Sequence, residues 1–275
     1  MTSRVARSRF VEADGARLYV EEAGEGPAVV FLHPGLWDSR TWNDQVGPFS
    51  ETYRVVRYDA RGFGRSSRRE PGAAYSLVGD LLAVLDATEI GRAVLVGCSM
   101  GGGTAIDCAL VAPERVESLV LVASALGGFE DGTPEEEAWS EEKMAPVLAA
   151  IEAGDLERAQ DLRVRTMWAL LGTDDERGAR IRQIALDNRD EIMQDESGEV
   201  EVAPPAFERL EEIRAPTLVL PADHDPPWTP RVSQMLADRI PNARLVQIPD
   251  VDHVVNMRKP GEFNAVVLSF LGEVL

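Results

Sequence analysis

The chain has 275 residues, 44% hydrophobic and 27% charged, with 23 Gly and 17 Pro, a composition that can bury a substantial core in one large or two small domains. Its 47 acidic residues outnumber 28 Lys and Arg and leave a net charge of -19, which argues against a nucleic-acid partner, because phosphate affinity rests on clustered cations. Residues 1–15 carry basic groups with no apolar stretch behind them, and the longest apolar run, 118–126, falls far short of the roughly 18 to 20 residues that cross a bilayer. A soluble, cytoplasmic protein with no membrane partner is expected.

Short β-rich runs at residues 17–22, 28–32, 54–58, 93–96 and 118–122 read as strands. Between them lie helical patterns, at Leu77, Leu81, Leu82 and Leu85 and from Met100 to Val111. Nearly all-apolar strands separated by helices predict an α/β fold, a mostly parallel sheet with helices on both faces. After residue 125 the strand pattern stops, and helices are predicted over 145–151, 156–171 and 181–193. Strands return at 217–220 and 244–248, each followed by a helix, at 231–240 and 262–271. We therefore expect a core built from residues 1–125 and 206–275, with 126–205 inserted as a helical cap.

The chemistry is carried by Gly97-Cys98-Ser99-Met100-Gly101, a G-x-S-x-G segment with a strand before it and a helix after it. That context predicts a nucleophile elbow, in which a sharp turn lifts the serine hydroxyl above the sheet at the start of a helix. Cys98 reads as a small buried filler behind this turn, and two cysteines, Cys98 and Cys108, are too few for a disulfide framework. A serine hydroxyl needs a base and a group that orients the base. Of the three histidines, only His253 follows Ser99 with a suitable loop carboxylate in between; His33 precedes the serine and His224 lies inside the loop that supplies the acid. Asp225 ranks first as the acid and Asp223 second, while Asp250 and Asp252 lie too close to His253 in sequence to aim along its imidazole axis. The cluster Asp223, His224, Asp225 lacks the further ligand a divalent ion would want, so no metal is expected.

At these residues the sequence resembles the α/β-hydrolase superfamily. The likeness spans about Phe10 to Leu271 and is carried by Phe31-Leu32-His33-Pro34-Gly35, by Asp59-Ala60-Arg61-Gly62-Phe63-Gly64-Arg65-Ser66, by the elbow, and by Asp225 with His253. The resemblance implies an eight-stranded, mostly parallel sheet, an acid after a G-x-x-D pattern (here with Ala222 in the glycine position), and an oxyanion hole. By that likeness Met100 supplies one N–H, and Gly35 the other with Leu36 behind it, since Pro34 has no donor. His33 would support its loop, and the Asp59–Ser66 turn would be structural. An aspartate would stand at the elbow in the related dehalogenases and epoxide hydrolases; Ser99 argues against both.

Among serine members the chain looks most like the 3-oxoadipate enol-lactonase and perhydrolase groups, which implies a small ester or lactone substrate and no cofactor. Trp37, Trp139, Met167 and Trp168 are candidate pocket residues, and Arg163 and Arg165 candidate cations for a substrate carboxylate. Two other readings share the triad: hydrolysis of a carbon–carbon bond in a dicarbonyl compound, and a ligand-binding receptor on the same fold.

Overall fold

In the computed structural model, which describes residues 7–129 and 132–275, eight strands form a single sheet. The strands are β1 (Arg7–Ala13), β2 (Ala16–Ala23), β3 (Ala28–Leu32), β4 (Arg54–Tyr58), β5 (Ala93–Cys98), β6 (Val116–Val122), β7 (Thr217–Leu220) and β8 (Ala243–Leu245), in the spatial order β1-β2-β4-β3-β5-β6-β7-β8. From β4 to β8 every neighbouring pair is parallel, whereas β1 with β2 and β2 with β4 are antiparallel. The expectation of a mostly parallel sheet holds. The sequence pattern did not mark β1, because its first four residues are exposed and carry no apolar alternation. A usable signal was Asp14-Gly15, which turns β1 into β2 with positive φ at both residues, the geometry a two-residue hairpin favours. The first six residues of the stretch read for a secretion signal lie outside the described residues.

Nine helices accompany the sheet among the described residues: α1 (Asn43–Phe49), α2 (Leu77–Ala87), α3 (Met100–Val111), α4 (Pro134–Glu152), α5 (Leu156–Arg163), α6 (Glu176–Asp187), α7 (Trp228–Arg239), α8 (Val255–Arg258) and α9 (Pro260–Val274). The period-two rule for strands decides which face each packs on. Val30, Leu32, Leu95, Leu119, Leu121 and Val219 point to one side, against Leu81 and Leu85 of α2, Ile106 of α3 and Leu236 of α7. Their alternates Val29, Phe31, Val94, Val96, Val120 and Leu218 point to the other, against Phe49 of α1 and Phe263, Val267 and Leu271 of α9. Both faces are covered, so nearly all-apolar central strands, above all β3 and β5, are what the sequence had to supply.

Between β6 and β7 the described residues form α4, α5 and α6 with no strand of the sheet among them. Helix α4 starts at a capping box, in which Thr133 and Glu136 satisfy each other's backbone N–H groups, so it begins eleven residues before the predicted 145. The helix predicted over 156–171 stops at Arg163 and continues as a single π turn, Val164–Trp168. The helix predicted over 181–193 likewise splits, into α6 and a 3-10 turn at Arg189–Met193. This segment shares a buried cluster with the core: Val164, Ala169, Ile181, Ile184 and Ala185 pack on Leu36 and Trp37 after β3 and on Val254 and Met257 near the C-terminus. Polar ties reinforce the joint. Buried Asp38 accepts from Arg40 and from Asn188 Nδ2 at 2.8 Å, and Asn188 Oδ1 accepts from Gly64 N–H at 2.7 Å. No described helix is long and apolar enough to cross a membrane.

Candidate active site

Ser99 stands between β5 and α3 with φ 50° and ψ -117°, a conformation that costs a non-glycine residue of order 1–3 kcal/mol. Tight packing on both sides holds it there. A Cβ added at Gly97 would lie 2.3 Å from the carbonyl oxygen of Gly101, and one at Gly101 would lie 2.3 Å from that of Leu32. The flanking glycines of the motif are thus required by the closeness of β5, α3 and β3. The serine's own N–H donates to Val122 and its carbonyl accepts from Gly103 and Ala125, so the turn is pinned from three directions. The residue is partly exposed, and among the described residues its hydroxyl forms no hydrogen bond.

His253 lies in the loop between β8 and α8 with its side chain almost wholly buried. Its Nδ1–H donates to both oxygens of Asp225, at 3.0 and 2.9 Å. The backbone carbonyl of His253 accepts from the thiol of Cys98 at 3.4 Å, which seats the His253 loop directly against the residue preceding Ser99. Asp225, in the loop after β7, has a fully buried side chain. Burial pushes its carboxyl up from the ordinary aspartate value; the neighbouring imidazole and the Thr229 hydroxyl pull it back, and Asp252 pushes it further up.

The other carboxylates have different partners. Asp223 accepts from the N–H groups of Asp250 and Val251 at 2.8 Å each and so joins the two loops. Asp250 is exposed, with an oxygen 3.8 Å from His224, and Asp252 is held by Arg258. Asp223, His224 and Asp250 sit close enough together to share an ion, but all three are exposed and Asp223 is already engaged by backbone donors.

His33 is buried, its Nδ1–H donating to the Pro34 carbonyl and its Nε2 accepting from Ala60 N–H, both at 2.8 Å. Burial lowers its pKa and keeps it neutral. It fixes the loop that carries Gly35 and Leu36; among the described residues no acceptor binds either N–H. Met100 is the first residue of α3, where backbone N–H groups have no intrahelical acceptor. In the Asp59–Ser66 turn, Asp59 accepts from Ser39 and Arg65, and the Ser66 hydroxyl donates to the Asp59 carbonyl, so this motif ties a strand end to its neighbours.

An aromatic row leads away from His253. Trp168 packs on the His253 ring with centroids 4.4 Å apart, Trp228 meets Trp168 edge-on at 6.4 Å, and Trp139 meets Trp228 edge-on at 5.5 Å. Trp228 escaped the sequence reading, though it stands three residues beyond Asp225, where α7 begins. Trp37 is fully buried, donates from Nε1 to the Ile181 carbonyl, and lies 6.4 Å from the His253 ring. Met167 and Trp168 line a cavity of about 520 Å³ with Met144, Ile151 and Ile192. Arg163 reaches that cavity but is paired with Glu191 at 2.5 Å, and Arg165 is paired with Asp161 and Asp174. Neither arginine is left without a carboxylate.

The alpha/beta hydrolase family profile matches residues 29–266. A 3-oxoadipate enol-lactonase from Acinetobacter baylyi is 26% identical, over all of this chain and 97% of its own length. A protein named as a carbamate hydrolase from a Caulobacter species is 30% identical, over 92% of this chain and 95% of its own. Among solved structures, a hydrolase from Pseudomonas aeruginosa superposes with a TM-score of 0.77 at 29% identity, covering 96% of this chain and 98% of its own. The enol-lactonase from Burkholderia xenovorans gives 0.75 at 26%, covering 96% and 100%. With the profile spanning most of its length, the chain belongs to the alpha/beta hydrolase family.

Proposed function

We propose that the protein is a serine hydrolase that cleaves a small carboxylic ester or lactone through an acyl-enzyme intermediate, with Ser99 as nucleophile, His253 as base and Asp225 as the acid that orients it. The observation that carries this reading is the imidazole of His253, gripped through Nδ1 by a buried carboxylate while its loop is bonded to the residue before Ser99. With Nδ1–H committed to Asp225, Nε2 is the nitrogen left to accept a proton. Hydrogen bonds to a catalytic nucleophile are often long before substrate binds, which accommodates the free Ser99 hydroxyl.

In the reaction, Ser99 Oγ attacks the substrate carbonyl carbon as His253 takes its proton. The oxygen that becomes negative is met by the N–H of Met100 and of Gly35, beside the positive end of the α3 dipole. Collapse of the tetrahedral intermediate breaks the ester bond, and His253 returns the proton to the departing alkoxide oxygen. Water, deprotonated by His253, then attacks the acyl group and releases the carboxylic acid and Ser99. No step requires a metal or an organic cofactor.

Residues 126–205 serve as a cap over a core formed by 1–125 and 206–275, and Trp168, with Trp228 and Trp139 behind it, forms an apolar wall beside the base. The names of the lactonases and hydrolases that the chain is similar to favour ester and lactone substrates. The test is turnover of nitrophenyl esters, aliphatic lactones and ring-cleavage diketones by the wild type and by Ser99→Ala. Ester or lactone turnover that drops about 10⁴-fold in the variant supports the reading. Undiminished turnover in the variant, or activity on diketones alone, overturns it.

A further inference from the structure

We propose that Asp252 is a positioning residue for His253, acting through Arg258 and through the Trp168–Gly172 stretch that packs on the imidazole. This rests on the reading of His253 as the base. Asp252 has no exposed side-chain surface, and Arg258 grips its carboxylate bidentately, with Nε 2.9 and 3.0 Å from the two oxygens and one terminal nitrogen 2.6 Å from Oδ2.

The pair does not close on itself. Asp252 Oδ2 also accepts from Leu171 N–H at 3.2 Å, and Arg258 also donates to the Gly172 carbonyl at 2.7 Å. Within the same stretch, the Trp168 carbonyl accepts from His253 N–H at 3.4 Å and the Trp168 ring lies on the imidazole. Residues 168–172 are thus fastened to residues 252–258 at both ends, through His253 at one and the ion pair at the other.

Asp225 holds only one edge of the imidazole, and a ring bonded at one nitrogen can still tilt about that bond. The Trp168 face limits the tilt, and Trp168 is the last residue of the π turn Val164–Trp168. A π turn is a rare backbone form that recurs at functional sites. Its exit is anchored by the bonds from Leu171 and Gly172, so releasing Asp252 frees the exit, Trp168 shifts, and Nε2 loses its aim at Ser99. A buried ion pair is weak evidence for stability in itself, since apolar residues of similar volume often replace one without loss. What those residues could not supply is the acceptor for Leu171 and the donor for Gly172.

The experiment measures single-turnover acylation by a nitrophenyl ester, as the burst of nitrophenol over a range of ester concentrations, in Asp252→Leu, which removes the acceptor for Leu171, and in the double variant Asp252→Leu/Arg258→Met, with thermal melts of each. The double variant removes both charges, so it tests the idea even where a lone unpaired Arg258 prevents folding. In any variant that folds, we expect acylation about 10- to 100-fold slower with half-saturation changed by less than about twofold, the split for a group that acts on the transition state alone. Wild-type acylation in a folded variant overturns the proposal, as does a change confined to half-saturation, or failure of both variants to fold, which makes the pair purely structural. Ser99→Ala, run alongside, separates the two ideas: a burst surviving there sinks the hydrolase reading, while its loss there with normal bursts in the Asp252 variants sinks only this inference.

Discussion

The thiol of Cys98 donates to the backbone carbonyl of His253 across 3.4 Å, so the strand that ends in the elbow and the loop that carries the imidazole meet through a buried hydrogen bond. Burial, with the Asp225 charge nearby, pushes this thiol well above its ordinary pKa, and burial pushes Cys108 up to about 12. Since the thiolate is the reactive form, neither cysteine should be alkylated by iodoacetamide in the native protein at about pH 8. Mass spectrometry should find two modified thiols only after denaturation. Rapid native labelling of Cys98 would contradict its placement against His253.

Ser99→Gly should make the protein inactive and more stable at once. Glycine relieves the strain at φ 50°, worth of order 1–3 kcal/mol, against an unfolded-state entropy gain of about 0.4–1 kcal/mol. A net gain of about 1 kcal/mol should appear as a higher urea midpoint with an unchanged slope. A lower midpoint would show that the serine hydroxyl, rather than the backbone, dominates the local energetics.

Gly101→Ala sets a methyl group 2.3 Å from the Leu32 carbonyl, and backbone on both sides leaves little room to give. We expect a loss of more than about 3 kcal/mol, at the upper end of what overpacking costs, with inactivation even in the folded fraction. Gly261→Ala, where an added Cβ meets nothing within 4 Å in the first turn of α9, is the control and should leave stability unchanged or raise it by up to about 1 kcal/mol in urea titrations.

Asp107 on α3 shares a cavity wall with Glu199 and Glu201, and burial together with those two charges pushes its carboxyl up to about 6. The native state therefore holds a proton that the unfolded chain releases near pH 4. Between about pH 4 and pH 6 the folded form binds more protons, so this group makes stability fall as pH rises through that window and adds no further slope above it. Asp107→Asn should remove the slope and be more stable above about pH 7, by about 1–2 kcal/mol once solvent screening of this partly exposed group is allowed for. Urea midpoints at about pH 5 and pH 8 check the sign: an asparagine variant less stable than wild type at pH 8 would mean that the carboxylate is welcome there.

The elbow, the central strands and the two-faced packing were legible in the sequence because each is dictated within a few residues of its own position. Gly97 and Gly101 admit no side chain, and Val29 to Leu32 alternate between two covered faces, so the residues record the constraint where it acts. The exposed edge strand β1 was not legible, since pairing on one edge demands little of its side chains. Nor could helical periodicity show that the helix after Leu156 ends in a π turn, because that break answers to a contact on His253 some 85 residues away.

Sequence order alone ranked Asp225 ahead of Asp223 as the proposed acid, set Asp250 and Asp252 aside, and pointed to His253 as the proposed base. Which carboxylate grips the imidazole, which clamps Arg258 and which binds backbone was decided by how the ends of β7 and β8 converge. A carboxylate's role depends on the donors brought within about 3 Å of it. Those donors come from segments distant in the chain, and only the assembled sheet with its helical segment in place brings them together.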